Sequence, residues 1–146
     1  MEEKLIDFET AKLAKEKGFD ELIIHYYKST NENNVFTHRR RGGYHKGKTY
    51  ELRNSNMVIG KKGIIKYSAP TQSLLQKWLR EKHNIHIKIE VTTQCNFYYS
   101  IVQFLEPPKN KANPAKIGYQ NVANVQKVST YEKALEAGLQ EALNLI

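Results

Sequence analysis

Ile85-His86-Ile87-Lys88-Ile89-Glu90-Val91 alternates apolar and polar residues without a break. Alternation at a period of two puts the isoleucines and Val91 on one face and His86, Lys88 and Glu90 on the other, the pattern of a half-buried antiparallel strand. Such a strand needs a cover for its apolar face, and the flanking sequence supplies one on each side. Upstream, Leu74, Leu75, Trp78 and Leu79 form one stripe of a helix that opens at Pro70, a residue suited to a first helical turn. Arg80, Lys82 and His83 fall at its C-terminal end, where cations are favoured, and Asn84 suits a left-handed stop. Downstream, residues 92–96 read as a turn, 97–105 as a second strand with apolar residues on both faces, and 119–128 as a third. Residues 106–118 carry three of the four prolines and read as an exposed loop. Ser129-Thr130-Tyr131-Glu132 then fits a capping box with Ser129 at the cap. Leu135, Gly138, Leu139, Ala142, Leu143 and Ile146 follow at helical spacing, and Gly138 on that apolar stripe predicts close packing onto the sheet.

The first half is more broken. Asp7-Phe8-Glu9-Thr10 opens a short helix with Asp7 as its cap. Phe8, Ala11 and Ala14 share a face, Gly18 is a left-handed stop, and Phe19 folds back on the last turn. Residues 21–28 are branched and aromatic and read as a strand, and 29–34 as a polar loop. Residues 35–47 contain three glycines and read as a basic loop rather than a strand. Residues 48–58 look extended, Gly60-Lys61-Lys62-Gly63 turns, and 64–67 is a short strand. The order is α-β-β-β-α-β-β-β-α. The class is α+β, an antiparallel sheet or sheets with helices packed on one face. The chain reads as a single compact domain over 1–146, with residue 68 as the alternative point of division into 1–67 and 68–146.

The net charge is +8 over 146 residues, and its distribution is uneven. Residues 1–34 hold five Lys/Arg against eight Asp/Glu, residues 35–88 hold 13 against two, and residues 89–146 hold five against five. The whole excess therefore lies in the middle third, which favours an anionic partner: a nucleic acid, a nucleotide or an acidic protein surface. Its densest part is Arg39-Arg40-Arg41-Gly42-Gly43-Tyr44-His45-Lys46-Gly47-Lys48. Arginine forks suit phosphate oxygens, glycines let the backbone approach, and Tyr44 offers a ring to a base. Arg53, Lys61, Lys62 and Lys66 extend the charge. The candidate ligand-binding residues are thus Arg39, Arg40, Arg41, Tyr44, Lys46, Lys48, Arg53, Lys61 and Lys62; the rival reading is a solvated basic surface. Tyr26, Tyr27, Tyr98 and Tyr99 form either a stacking platform or ordinary cross-strand packing.

No catalytic motif is present in the linear sequence, and the carboxylates show no pairing, so the chain reads as a non-enzyme without a cofactor. His83 and His86 straddle a helix end, while His38 and His45 lie among cations that repel a metal, so no metal site is assigned. Cys95 is the one cysteine and reads as a turn residue, which excludes a disulfide framework. No apolar run is long enough to span a membrane, and Met1-Glu2-Glu3-Lys4 lacks the start of a signal peptide. A cytoplasmic location is expected.

Two resemblances add to this reading. Residues 70–146, in their α-β-β-β-α order and length, resemble the double-stranded-RNA-binding domain. Thr92-Thr93-Gln94-Cys95-Asn96 stands where that family has Gly-Pro-x-His, and Thr130-Tyr131-Glu132-Lys133-Ala134 where it has Lys-Lys-x-Ala-Lys. None of that family's RNA contacts carries over. The second resemblance rests on three phrases. They are Glu9-Thr10-Ala11-Lys12-Leu13-Ala14-Lys15-Glu16-Lys17-Gly18-Phe19-Asp20-Glu21, Ala69-Pro70-Thr71-Gln72-Ser73-Leu74-Leu75-Gln76-Lys77-Trp78-Leu79-Arg80-Glu81-Lys82-His83-Asn84-Ile85 and Thr130-Tyr131-Glu132-Lys133-Ala134-Leu135-Glu136-Ala137-Gly138-Leu139-Gln140-Glu141-Ala142-Leu143. Together these cover about 45 of the 146 residues and resemble a family of small uncharacterised proteins of Bacteroides-type bacteria and their bacteriophages. That resemblance implies a phage or mobile-DNA setting, the host cytoplasm as location, and no chemistry. The expectation is a small binding protein that grips nucleic acid through its basic segment. The alternatives are a sequestering protein for a small nucleotide signal and a module that docks an acidic host protein.

Overall fold

Asp7 fixes the start of the first helix. Its carboxylate accepts the Thr10 backbone N–H at 2.9 Å and the Thr10 hydroxyl at 2.8 Å, which satisfies one of the amides left over at a helix start. Helix α1 runs Phe8–Glu16 and ends at Gly18, whose φ of 84° is in the left-handed region. The Gly18 N–H donates to the Lys15 carbonyl at 3.1 Å and the Phe19 N–H to the Ala14 carbonyl at 2.9 Å. These are the two bonds of a Schellman end, and the buried Phe19 ring supplies its apolar contact.

The computed structural model describes residues 3–29, 36–40, 57–59, 64–94, 96–104 and 119–146. The chain is α+β, with three helices and two antiparallel sheets, and it divides into two compact units, Met1–Thr71 and Gln72–Ile146. Among the described residues no helix is long and apolar enough to cross a membrane.

In the first unit, β1 (His25–Ser29), β2 (Phe36–Arg40), β3 (Met57–Ile59) and β4 (Ile64–Ser68) form one sheet in the order β2-β1-β4-β3. Every neighbouring pair is antiparallel. Helix α1 lays Phe8 against this sheet, edge-on to Tyr27 at 5.7 Å and to Tyr67 at 5.5 Å between ring centroids. Ile6, Thr10, Ala11, Ala14, Phe19, Ile23 and Ala69 are buried and make up the core. The unit is closed where the Ile6 N–H donates to the Pro70 carbonyl at 3.1 Å, beside a bridge between Leu5 and Thr71.

Two sequence expectations change here. Residues 36–40 form the strand β2 rather than the start of a loop, so the order gains a strand. The glycines that argued against a strand lie at 42, 43 and 47, beyond its end. Pro70 is also outside the helix it was expected to open. It is fully buried in an extended segment, its carbonyl is engaged by Ile6, and α2 begins at Gln72.

The second unit runs α2 (Gln72–His83), β5 (Ile85–Val91), β6 (Phe97–Phe104), β7 (Tyr119–Val128) and α3 (Tyr131–Asn144). The sheet order is β5-β6-β7, antiparallel throughout. Asn84, at φ 54°, turns the chain from α2 into β5. The alternation in β5 is realised over its first four residues, with Ile85 and Ile87 buried and His86 and Lys88 exposed, but not at its end, where Ile89 and Glu90 are both half-buried and Val91 is exposed. Ile87 and Ile101 are register partners, as are Ile89 and Tyr99. Leu75, Trp78 and Leu79 from α2 and Leu135, Leu139, Ala142 and Leu143 from α3 complete this core. Each fully buried leucine contributes roughly 1.5–3 kcal/mol.

Gly138 faces the sheet as its place in the stripe predicts. A Cβ there would lie 2.9 Å from Ile87 Cγ2 and 3.2 Å from Tyr99 Cγ. The cap of α3 differs by one residue from the expected box. Thr130, not Ser129, accepts the Lys133 N–H, at 3.2 Å. The third helical position is therefore Lys133, and Glu132 serves instead as an acid in the first turn.

Candidate nucleic-acid interface

The sheet of the first unit assigns its tyrosines by alternation. Tyr27 and Tyr67 are register partners and share the face that meets Phe8. Both are committed there: the Tyr27 hydroxyl donates to the Ile6 carbonyl at 2.8 Å, and Lys15 Nζ sits 4.6 Å above the Tyr67 ring. Tyr26 and Lys28, one residue to either side of Tyr27, belong to the other face. On that face Lys66 Nζ lies 4.9 Å from the centre of the Tyr26 ring, a cation–π contact. Lys66 is also the direct register partner of Lys28, and Arg39 is the register partner of Tyr26. Directly opposed residues of an antiparallel pair share a face. Tyr26, Lys28, Lys66 and the position of Arg39 therefore fall together.

The charge on this sheet is one-sided. The sequences of β1, β2, β3 and β4 include Lys28, Arg39, Arg40 and Lys66 and no acidic residue. Like charges directly opposite each other on a strand pair are destabilising, by roughly 0.2–1 kcal/mol. Lys28 and Lys66 are such a pair by backbone register.

Of the residues expected to bind a ligand, Arg39 and Arg40 are placed in β2, opposite Tyr26 and His25. Arg41, Tyr44, Lys46, Lys48, Arg53, Lys61 and Lys62 lie outside the described residues. Lys28 was missed because it precedes the basic middle third, residues 35–88, from which the candidates were drawn. The signal that finds it is alternation within His25-Tyr26-Tyr27-Lys28-Ser29 combined with strand register.

Tyr98 and Tyr99 make no shared platform. Tyr99 is buried against Gly138. Tyr98 lies on the outer face of the second sheet, where its hydroxyl donates to the Glu90 carboxylate. Lys88 Nζ approaches the same carboxylate at 3.1 Å. The Tyr98 hydrogen bond, with Lys88 second, holds the Glu90 carboxyl below its ordinary range, and that same bond pushes the Tyr98 phenol up.

His83 packs its ring on Trp78, with centroids 4.6 Å apart, and burial lowers its pKa. Among the described residues no group of three or more His, Cys, Asp or Glu side chains could hold a metal ion. Cys95 lies outside the described residues. No protein-family model, no curated protein and no solved structure matches this chain.

Proposed function

We propose that this chain is a non-enzymatic binding protein of a phage or mobile-element setting that grips nucleic acid through the basic sheet of its first unit and the basic segment that follows β2. The observation that carries the reading is the acid-free sheet, on which Lys28 and Lys66 are directly opposed beside the Tyr26 ring. The concentration of 13 Lys/Arg against two Asp/Glu within residues 35–88 supports it independently.

Phosphate contacts release counterions, so affinity falls steeply with salt. The test is fluorescence anisotropy with labelled oligonucleotides from low to physiological salt. Binding that weakens with salt, and weakens further in the triple variant Arg39→Ala, Arg40→Ala, Arg41→Ala, is the expected result. Absence of binding at low salt, or binding untouched by the triple variant, overturns the proposal.

A further inference from the structure

Among the described residues β5 has one strand neighbour, β6, and stands at an edge of its sheet. Its backbone polarity along that edge follows from one bond. The Thr92 N–H donates to the Asn96 carbonyl at 2.8 Å, just past the strand ends and in the same register. Hydrogen-bonded positions of an antiparallel pair alternate, so His86, Lys88 and Glu90 direct their N–H and C=O groups toward β6. Ile87, Ile89 and Val91 direct theirs to the outer side. The Ile87 carbonyl agrees, since it accepts the Gln76 side-chain Nε2 of α2 at 2.9 Å. The edge runs on past that contact to Val91, which is 58% exposed. We propose that this edge pairs antiparallel with β5 of a second copy of the chain, about a two-fold axis at Ile89, with Lys88 of each copy opposite Glu90 of the other.

Charge selects the register. An axis at Lys88 or Glu90 sets that residue against its own like charge. An axis at Ile87 sets His86 against Lys88, and one at Val91 leaves Lys88 without an acid across from it. An axis at Ile89 alone pairs Lys88 with Glu90, twice by symmetry. Those are non-hydrogen-bonded positions, where opposed Cα atoms come within about 4.5 Å and side chains are closest. No existing contact is broken. Within each chain Lys88 Nζ stays 3.1 Å from the Glu90 carboxylate, and the two ion pairs lie side by side with their signs alternating. Ile89 exchanges both backbone bonds with its counterpart, and Ile87 exchanges its bonds with Val91 of the second copy. A carbonyl has two lone pairs, so the Ile87 oxygen accepts that bond beside Gln76. On the apolar face the exposed Val91 gains Ile87 of the second copy as a neighbour.

The test is sedimentation velocity on the full chain after nuclease treatment. A monomer–dimer equilibrium that moves toward dimer with concentration is expected, and a weak one, because a single strand pair is a small interface. Lys88→Glu and Glu90→Lys, each alone, set like charges across both pairings and raise the dimer Kd about ten-fold. An equimolar mixture of the two variants restores the dimer, because every pairing of position 88 with position 90 across the axis is then of opposite sign. In the unaltered chain, rising concentration slows amide exchange at Ile89 and Val91 and leaves Lys88 and Glu90, already bonded to β6, unchanged. Should either variant fold poorly, that exchange pattern decides. A monomer even at about 1 mM, a dimer that both single variants leave intact, a mixture no more dimeric than its components, or exchange at Ile89 and Val91 that ignores concentration overturns the inference. Each of these outcomes leaves the nucleic-acid reading as it stands.

Discussion

Replacing Gly138 with alanine sets two effects of known sign against each other. In an open helix the change stabilises by about 1 kcal/mol, because glycine has the poorer helix propensity. At position 138 the new methyl carbon would stand 2.9 Å from Ile87 Cγ2 and 3.2 and 3.3 Å from Tyr99 Cγ and Cβ. Ile87 is 8% exposed and Tyr99 3%, so neither side chain can swing into solvent, and α3 must lift from the sheet. Overpacking of this kind costs roughly 1–3 kcal/mol. The clash outweighs the propensity gain, and a net loss of about 1 kcal/mol is expected, a drop of about 4–8 °C in the melting temperature of a unit this size.

Urea unfolding followed by the fluorescence of Trp78, which belongs to the same unit, measures it. Ala137→Gly one residue away calibrates propensity in the same helix. In an Ile87→Ala background the cost of Gly138→Ala should fall by at least half, since the nearest contact is gone. A Gly138→Ala protein stabilised by about 1 kcal/mol, or a cost unchanged by Ile87→Ala, would refute the close approach.

Three further outcomes are expected. Asp7→Ala removes both bonds to Thr10 and costs about 1 kcal/mol; thermal unfolding checks it, and faster amide exchange at Thr10 should accompany the loss. Glu90 has its folded-state pKa depressed, so its contribution is complete above the ordinary carboxylate range and is lost as pH falls through the folded value. Tyr98→Phe should move the Glu90 midpoint upward in a carboxyl NMR titration, and an unmoved midpoint would assign the shift elsewhere. His83 has a folded pKa below 6.5 through burial, so stability is full above that value and declines as pH falls beneath it. His83→Gln should flatten that decline in pH-dependent urea unfolding.

Legibility in the sequence tracked how local each signal was. The alternation of residues 85–88, the stripe on α3, the Asp7 cap and the Gly18 stop each depend on neighbours within a few residues, and each is found in place. Strand β2 was missed because the glycines at 42, 43 and 47 were weighed against the whole of residues 35–47; pairing with β1 makes Phe36–Arg40 a strand. Pro70 was misassigned because its bond to Ile6 joins residues far apart in the chain. The same limit hid the candidate interface. Lys66 reaches the Tyr26 ring only through the pairing of β1 with β4, which no window along the sequence contains. The dense run after β2 drew attention by composition alone, while Lys28, a lone cation beside two tyrosines, gave no such cue.

The strand order of the first sheet also has a consequence during synthesis. Tyr26 pairs with Ser68, 42 positions later, whereas Val91 meets Phe97 across a short turn. Closing the longer loop takes conformational entropy before it returns contacts. As the chain emerges, β1 can pair with β2 early, but its other edge stays open until β4 is made. An open edge invites pairing with another nascent chain, and lysine on a strand is a common guard against it. Lys28 lies on that waiting strand, in register with Lys66 of the strand that closes it.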